Sequence, residues 1–319
     1  MPLHPPPQPS SPGTRRPRAP RPGGRWLALL AAVALVAAGL SGSARAEAGG
    51  DLPAVKARGV LRHLGIRYAN FVTGSGDGFD VELMQRFAAR LGVRYEFAES
   101  DWPAVIPDLI GRQVSAAATE LGSAPPVPVR GDVIATGLTV LPWRSRVVAF
   151  SSPVFPTQVW VVARADASVQ PIRPSGVLEQ DIAAVRALLD GREVIGVAAT
   201  CLDPKLYALE KTRAVLLLRK IQLDEVAPLL IHGEGELALL DVADAMIALQ
   251  KWAGKLKVIG PISGRQEMAV AFRRDAPALR AAFEDFLRDA RSDGSYDALV
   301  RAYFPEAPVY FPEFFARGR

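Results

Sequence analysis

The chain has 319 residues, 49% of them hydrophobic and 22% charged, with a formal net charge of +5; that is enough apolar sequence for one large core or two modest ones. Residues 1–46 hold six arginines (Arg15, Arg16, Arg18, Arg21, Arg25, Arg45) and no acid, so the rest balances 32 basic against 33 acidic residues, a net charge of −1. The basic character belongs to the N-terminal segment alone, and no nucleic acid or other polyanion is expected as a partner.

Residues 1–46 read as an export signal. A Pro- and Arg-rich stretch over 2–25 leads into the apolar run Trp26–Leu40 and then Ser-Gly-Ser-Ala-Arg-Ala, with small residues at Ala44 and Ala46 where a signal peptidase cuts. The run is shorter than the ~20 residues that span a bilayer, and no cysteine follows it to carry a lipid. The mature protein is expected in the periplasm, beginning near Glu47.

The mature part alternates strand-like and helix-like segments. Val60–Ile66 is short, apolar and β-compatible. In Phe79–Gly92, Val81, Leu83, Met84, Phe87, Ala88 and Leu91 share one helical stripe, and a glycine stops it. A strand at Val93–Phe97, a short helix at Pro103–Ile110, and strands at Asp132–Ala135 and Val147–Phe150 follow. Residues 112–130, rich in Ala, Pro and Ser, break the rhythm as an inserted loop, and 165–177 is a second polar, Pro-containing stretch. The rhythm restarts with strand Glu193–Val197, a helix near Pro204–Lys211, strand Ala214–Leu218, helix Asp224–Ile231 and strand Leu237–Leu240. A last strand, Glu267–Phe272, precedes helices at Ala276–Arg291 and Tyr296–Tyr303. The pattern predicts an α/β protein of two lobes, each a mostly parallel sheet flanked by helices, with the ligand outside the carboxyl ends of the strands.

Cys201 is the only cysteine, so no intramolecular disulfide can form, and His4, His63 and His232 are scattered. Metal binding has no support. There is no Ser/His/Asp or Cys/His set and no phosphate-binding loop, so no cofactor is expected.

Four segments carry a more specific reading. Tyr68-Ala-Asn-Phe71 precedes Gly78-Phe-Asp-Val-Glu82. Ser100-Asp-Trp102 opens the next. Gly131-Asp-Val-Ile-Ala-Thr136-Gly137-Leu-Thr139-Val-Leu-Pro-Trp-Arg144 runs on to Phe150-Ser151. Gly233-Glu-Gly-Glu-Leu-Ala-Leu-Leu-Asp241 is the fourth. In this order and approximate spacing the chain resembles the bacterial extracellular solute-binding proteins of family 3, the polar-amino-acid type, over roughly residues 55–304.

The resemblance implies the two-lobed fold of type II periplasmic binding proteins, with residues 51–155 as the first part of lobe 1, 156–266 as lobe 2, and 267–319 returning to lobe 1 with a C-terminal tail. It implies that Tyr68 and Trp102 sandwich the ligand and that Arg144 grips a carboxylate. A guanidinium suits that task because its planar fork pairs bidentately and stays charged. Arg146 stands two residues on, but the offset to Phe150-Ser151 selects Arg144. Thr136, Gly137 and Thr139 would add donors, and Thr200 would stand where the family has a Gly-Thr pair at a helix N-terminus. Asp241 would bind an ammonium, with Asp244 as its rival. Phe71 is read as packing and Asp80 as the cap of its own helix. The family's Thr and Glu beside the arginine are replaced by Leu141 and Trp143, and its Gly-Thr pair by Thr200-Cys201, departures that bear on which ligand is bound. Cys201 reads as a buried structural residue or a ligand contact.

The implied function is capture of a small amino-acid-like or carboxylate ligand by lobe closure. The protein would act as a monomer and deliver the ligand to the membrane permease of an ABC transporter. The alternatives are an enzyme on the same fold, resembling cyclohexadienyl dehydratase, with Glu236 or Glu267 as its acid, or a ligand sensor for a membrane receptor.

Overall fold

The computed structural model describes residues 50–114 and 125–316. The expected export signal and the middle of the 112–130 insertion lie outside these residues. Among the described residues no helix is long and apolar enough to cross a membrane.

The chain enters through α1 (Leu52–Arg58), capped by Asp51, into β1 (Val60–Gly65). The amphipathic α2 (Phe79–Leu91) buries Phe79, Val81, Leu83, Met84, Phe87 and Ala88, the stripe expected from the periodicity, and ends at Gly92. Then come β2 (Arg94–Glu99), α3 (Val105–Ile110), β3 (Val133–Ile134), the single turn α4 (Pro142–Ser145) and β4 (Ala149–Phe150). The chain crosses through β5 (Phe155–Thr157) into β6 (Val159–Arg164), α5 (Leu178–Ala187), β7 (Glu193–Val197), β8 (Val215–Arg219), α6 (Val226–Ile231), β9 (Leu237–Asp241), α7 (Val242–Lys251) and β10 (Leu256–Pro261). It returns through β11 (Gln266–Met268) and β12 (Ala271–Phe272) to α8 (Pro277–Ser292), α9 (Ser295–Tyr303), α10 (Ala307–Tyr310) and α11 (Pro312–Ala316).

Two five-stranded sheets result, in the orders β2-β1-β3-β12-β4 and β10-β6-β9-β7-β8, joined by the two-stranded ribbon β11-β5. The βαβ cores, β2-β1-β3 and β9-β7-β8, are parallel. The sheets are nonetheless mixed, because β12 runs antiparallel to β3 and β4, and β6 to β9 and β10. The cause is the crossing itself. A strand arriving from the ribbon enters its sheet at the edge where the core strands end, so it must run against them.

Three local expectations are corrected. The stretch Pro204–Lys211 is two 3-10 turns, Pro204–Tyr207 and Leu209–Lys211, parted by Ala208 at φ +53°. The strand expected over Glu267–Phe272 divides between ribbon and sheet, and at the break the Val270 N–H donates to the Ser151 hydroxyl at 3.1 Å. Asp80 does not cap α2, whose N-cap is Gly78; its Oδ2 accepts from the Gly137 N–H at 2.6 Å. The C-terminal aromatic tail packs against the body: Phe311 is buried, Phe315 meets Phe155 at 6.1 Å and Tyr310 meets Trp160 at 5.8 Å.

Candidate ligand-binding site

The seam between the two sheets is built from loops at the carboxyl ends of their strands. On the first-lobe side β1 delivers Tyr68, held in a tight turn in which the Phe71 N–H donates to the Tyr68 carbonyl at 3.1 Å. Phe71 is fully buried against Phe79, Phe155 and Phe304 and is a packing residue. Tyr68 stacks on Phe71 and meets Trp102 edge-on, at 5.5 Å and 80°. The two rings touch rather than facing each other across a slot, so the expected sandwich is corrected to an edge-to-face wall. Edge-to-face is the arrangement aromatic quadrupoles favour in direct contact.

Arg144 is 3% exposed. Pro142 starts α4, and this single turn swings the guanidinium inward, where Nη1 donates to the Thr139 carbonyl at 3.0 Å. The guanidinium lies over Trp143 at 5.4 Å and Trp102 at 5.9 Å. Trp143 thus supports the arginine at a position where the family resemblance lacks its usual residue. Burial lowers this guanidinium to about 10, so it remains a cation at neutral pH, and Nε has no hydrogen-bond partner among the described residues. Arg146, the rival, is exposed.

On the second-lobe side β9 is buried throughout and ends in Asp241, which is 0% exposed. Its Oδ1 caps α7 by accepting from the Ala243 N–H at 3.0 Å, and the carboxylate faces the Thr157 and Tyr68 hydroxyls. Asp244, in the first turn of α7, is also buried and faces the Tyr68 hydroxyl. Burial raises Asp241 to about 6; burial and the nearby Asp241 charge raise Asp244 well above the usual carboxylate range. Cys201 is buried close to both Arg144 and Asp241, its thiol pushed up by burial, and its carbonyl accepts from the Tyr207 hydroxyl. Glu236 stands at the opposite end of β9, paired with Arg192 at 3.3 Å.

Three of the expected donors are already spent. The Thr136 hydroxyl donates to the Ile66 carbonyl at 2.8 Å and accepts from the Ile66 N–H at 3.0 Å. The Gly137 N–H is held by Asp80. The Thr200 hydroxyl donates to the Val197 carbonyl at 2.8 Å and accepts from the Leu202 N–H at 3.0 Å. Thr136, Gly137 and Thr200 therefore shape the loops, since a hydroxyl or amide engaged this way has no donor left over. Among the described residues Trp102 and Arg144 each keep a buried side-chain N–H with no partner, while the Tyr68 hydroxyl faces Asp241 and Asp244, the Thr157 hydroxyl faces Asp241, Thr139 faces Cys201 and Gln266 faces Tyr207. Thr157 and Gln266 lie on the hinge ribbon, and no motif marked them. Asp244 was visible only as a rival. Polar side chains from both sheets and from the ribbon thus converge on one seam, with an indole N–H and a guanidinium N–H left over, which suits it to meeting the polar groups of a ligand.

Two α/β lobes, a two-stranded hinge ribbon and a polar seam between them define the type II periplasmic binding proteins. The profile of the bacterial extracellular solute-binding proteins, family 3, matches residues 67–125 and 129–306, and the chain belongs to that family. It is similar to the lysine/arginine/ornithine-binding periplasmic protein of Escherichia coli, at 24% identity over 71% of this chain and 78% of that one. It is similar to the octopine-binding periplasmic protein of Rhizobium meliloti, at 23% identity over 66% of this chain and 70% of that one. Among solved structures, a mutant of ArgBP from T. maritima superposes with a TM-score of 0.61 at 24% identity, covering 80% of this chain and 99% of that one. An ancestral amino acid-binding protein, a precursor of cyclohexadienyl dehydratase, gives a TM-score of 0.61 at 22% identity over 79% and 99%.

Proposed function

We propose that this protein is an exported, monomeric amino-acid-binding protein that closes its lobes on a zwitterion and hands it to the permease of an ABC transporter. One observation carries the reading: a buried cation, Arg144, with no acid paired to it among the described residues, stands on one wall of the seam, and a buried acid, Asp241, with no cation paired to it, on the other. An α-carboxylate on the first and an α-ammonium on the second would satisfy both charges and tie the lobes together. The amino-acid binders among the relatives support this ligand class. The reading is of a binder rather than a dehydratase, and the position of Glu236 away from the seam supports it.

Two measurements test it. Calorimetry with a panel of amino acids should find a ligand whose binding is nearly abolished in Arg144→Ala, since stranding one partner of a buried charge pair costs about 2–5 kcal/mol; Arg146→Ala should bind as wild type does. Equal binding by Arg144→Ala and wild type overturns the site. N-terminal sequencing of the exported protein should begin near Glu47, and an intact leader on membrane-bound protein would contradict the export reading.

A further inference from the structure

The C-terminal tail does more than cover the core. Burial accounts for Phe311, which is 3% exposed, and for Phe315, which packs on Phe155 at 6.1 Å. Two further contacts lie at the surface. Tyr310, half exposed, meets Trp160 at 5.8 Å, and the exposed Glu313 pairs with Arg265 at 2.8 Å. Both partners stand on the second-lobe side of the ribbon: Trp160 lies in β6 opposite Leu240 and Pro261, and Arg265 comes just ahead of β11.

The tail begins on the other side of the hinge. It leaves α9 at Tyr303, whose carbonyl accepts from the Asn70 side-chain amide at 2.8 Å. Phe304 is buried against Phe71 at 4.7 Å and Phe155 at 4.6 Å. Asn70 and Phe71 follow β1, so this end is tied to the first lobe. From there to its second anchorage the tail is stiff. Pro305, Pro308 and Pro312 restrict the backbone, and the Phe311 N–H donates to the Ala307 carbonyl at 2.9 Å. A segment with little freedom when detached loses little entropy on attachment. A cavity of about 390 Å³ lies between Phe311 and Phe314 of the tail and Pro156 and Glu267 of the ribbon. The ribbon thus has room to bend beneath the tail while both lobes are held.

These contacts are made with the seam shut, since the Tyr68 hydroxyl of the first lobe faces Asp241 and Asp244 of the second. Parting the lobes moves Trp160 and Arg265 relative to a tail fixed at Phe304, so the motion strains the two surface contacts first. We infer that residues 305–316 form a strap across the hinge that favours the shut arrangement of the lobes. The inference rests on the reading of this protein as one that works by lobe closure, and it does not depend on which ligand is bound. An intact strap raises the fraction of shut protein, and with it the apparent affinity for whatever the seam captures.

Cys201 supplies the readout. It is the only cysteine, it is 3% exposed in the seam, and parting the lobes uncovers it. The mature protein, freed of bound ligand, is treated with N-ethylmaleimide at one fixed pH, and the mass increase is timed across low urea concentrations. Labelling that is flat in urea reports parting of the lobes; labelling that climbs with the full slope of unfolding reports loss of the fold. Tyr310→Ala combined with Glu313→Gln should raise the flat rate about fivefold or more, through loss of one aromatic pair and one exposed ion pair. A chain ending at Phe304 should label at least as fast. Val309→Ala, on the same segment at a position 78% exposed, should label as wild type does. A wild-type rate in the combined variant overturns the inference. So does a rise that carries the full urea slope, or an equal rise in Val309→Ala. If the shortened chain does not fold, the combined variant decides alone. Because no ligand is used, faster flat labelling upholds the strap even where no amino acid binds, and then only the ligand reading falls.

Discussion

The two walls of the seam bury charge with opposite consequences. The first lobe buries an arginine in an aromatic cage, and the guanidinium is basic enough that lowering it to about 10 leaves it charged at neutral pH. The second lobe buries two aspartates at the start of one helix, and the same loss of water drives both toward neutrality, Asp244 further than Asp241. Desolvation disfavours the charged form on each wall, but the starting pKa decides whether charge survives. The cationic wall is thus fixed, and the acidic wall adjusts its charge to whatever meets it.

The sharpest way to break this contrast is to neutralise the acidic wall alone. Asp241→Asn should weaken binding of an amino acid by about 2–5 kcal/mol and spare a simple carboxylate, because Arg144 is untouched and Asn still caps a helix. Calorimetry with an amino acid and its deaminated analogue separates the two; equal losses would mean that Asp241 acts only as a cap.

The backbone of the first wall comes next. Gly137 has φ +61°, and a Cβ there would lie 2.5 Å from the Phe71 ring and 2.9 Å from the Tyr68 ring. Gly137→Ala should cost about 2–4 kcal/mol of stability through left-handed strain and displaced rings, and should weaken binding as Tyr68 moves. A thermal melt unchanged from wild type would show that the rings have room to shift.

A smaller effect is expected from the aromatic cage. Trp102→Ala removes one indole from Arg144 and the edge contact to Tyr68, and should weaken ligand binding by about 1–2 kcal/mol without unfolding the protein. Unchanged affinity would reduce Trp102 to lobe packing.

A separate effect, read without ligand, is in the pH dependence of stability. Asp80, behind the Gly137 loop, is raised by burial to about 7, and Asp241 to about 6. An acid whose folded pKa lies above its unfolded value near 3.8 holds more proton in the folded state, so its stabilising contribution is full at low pH and is lost as pH rises through the folded value. His63, buried and lowered to about 4, acts in the opposite sense: its contribution is lost as pH falls from 6.5 toward 4. Removing the Asp80 contribution should therefore make the melting temperature of Asp80→Asn rise more steeply with pH between 4 and 7 than that of wild type. Parallel melting curves would mean that Asp80 is ionised in the fold.

Local sequence made most of the scaffold legible. The apolar stripe of α2, the short strands β1, β7 and β9, and the glycine that ends α2 are properties of neighbouring residues, and periodicity reports them. The element α7 was not legible: Val242–Lys251 is apolar and alanine-rich on several faces, and its start is set by Asp241 turning out of a strand. The mixed direction of the sheets was equally hidden, since it follows from where the hinge ribbon joins them.

The candidate site divides along the same line. Resemblance to the family's ordered motifs pointed to Tyr68, Trp102, Arg144 and Asp241, and the structure brings these side chains close together. Resemblance did not sort the three threonines. Thr136, Thr139 and Thr200 look alike in sequence, yet Thr136 and Thr200 spend their hydroxyls on backbone groups of Ile66, Val197 and Leu202, and Thr139 turns its own toward the Cys201 side chain in the seam. Whether a hydroxyl faces a ligand or closes a loop depends on which backbone groups folding brings within about 3 Å of it, and only the tertiary structure decides that.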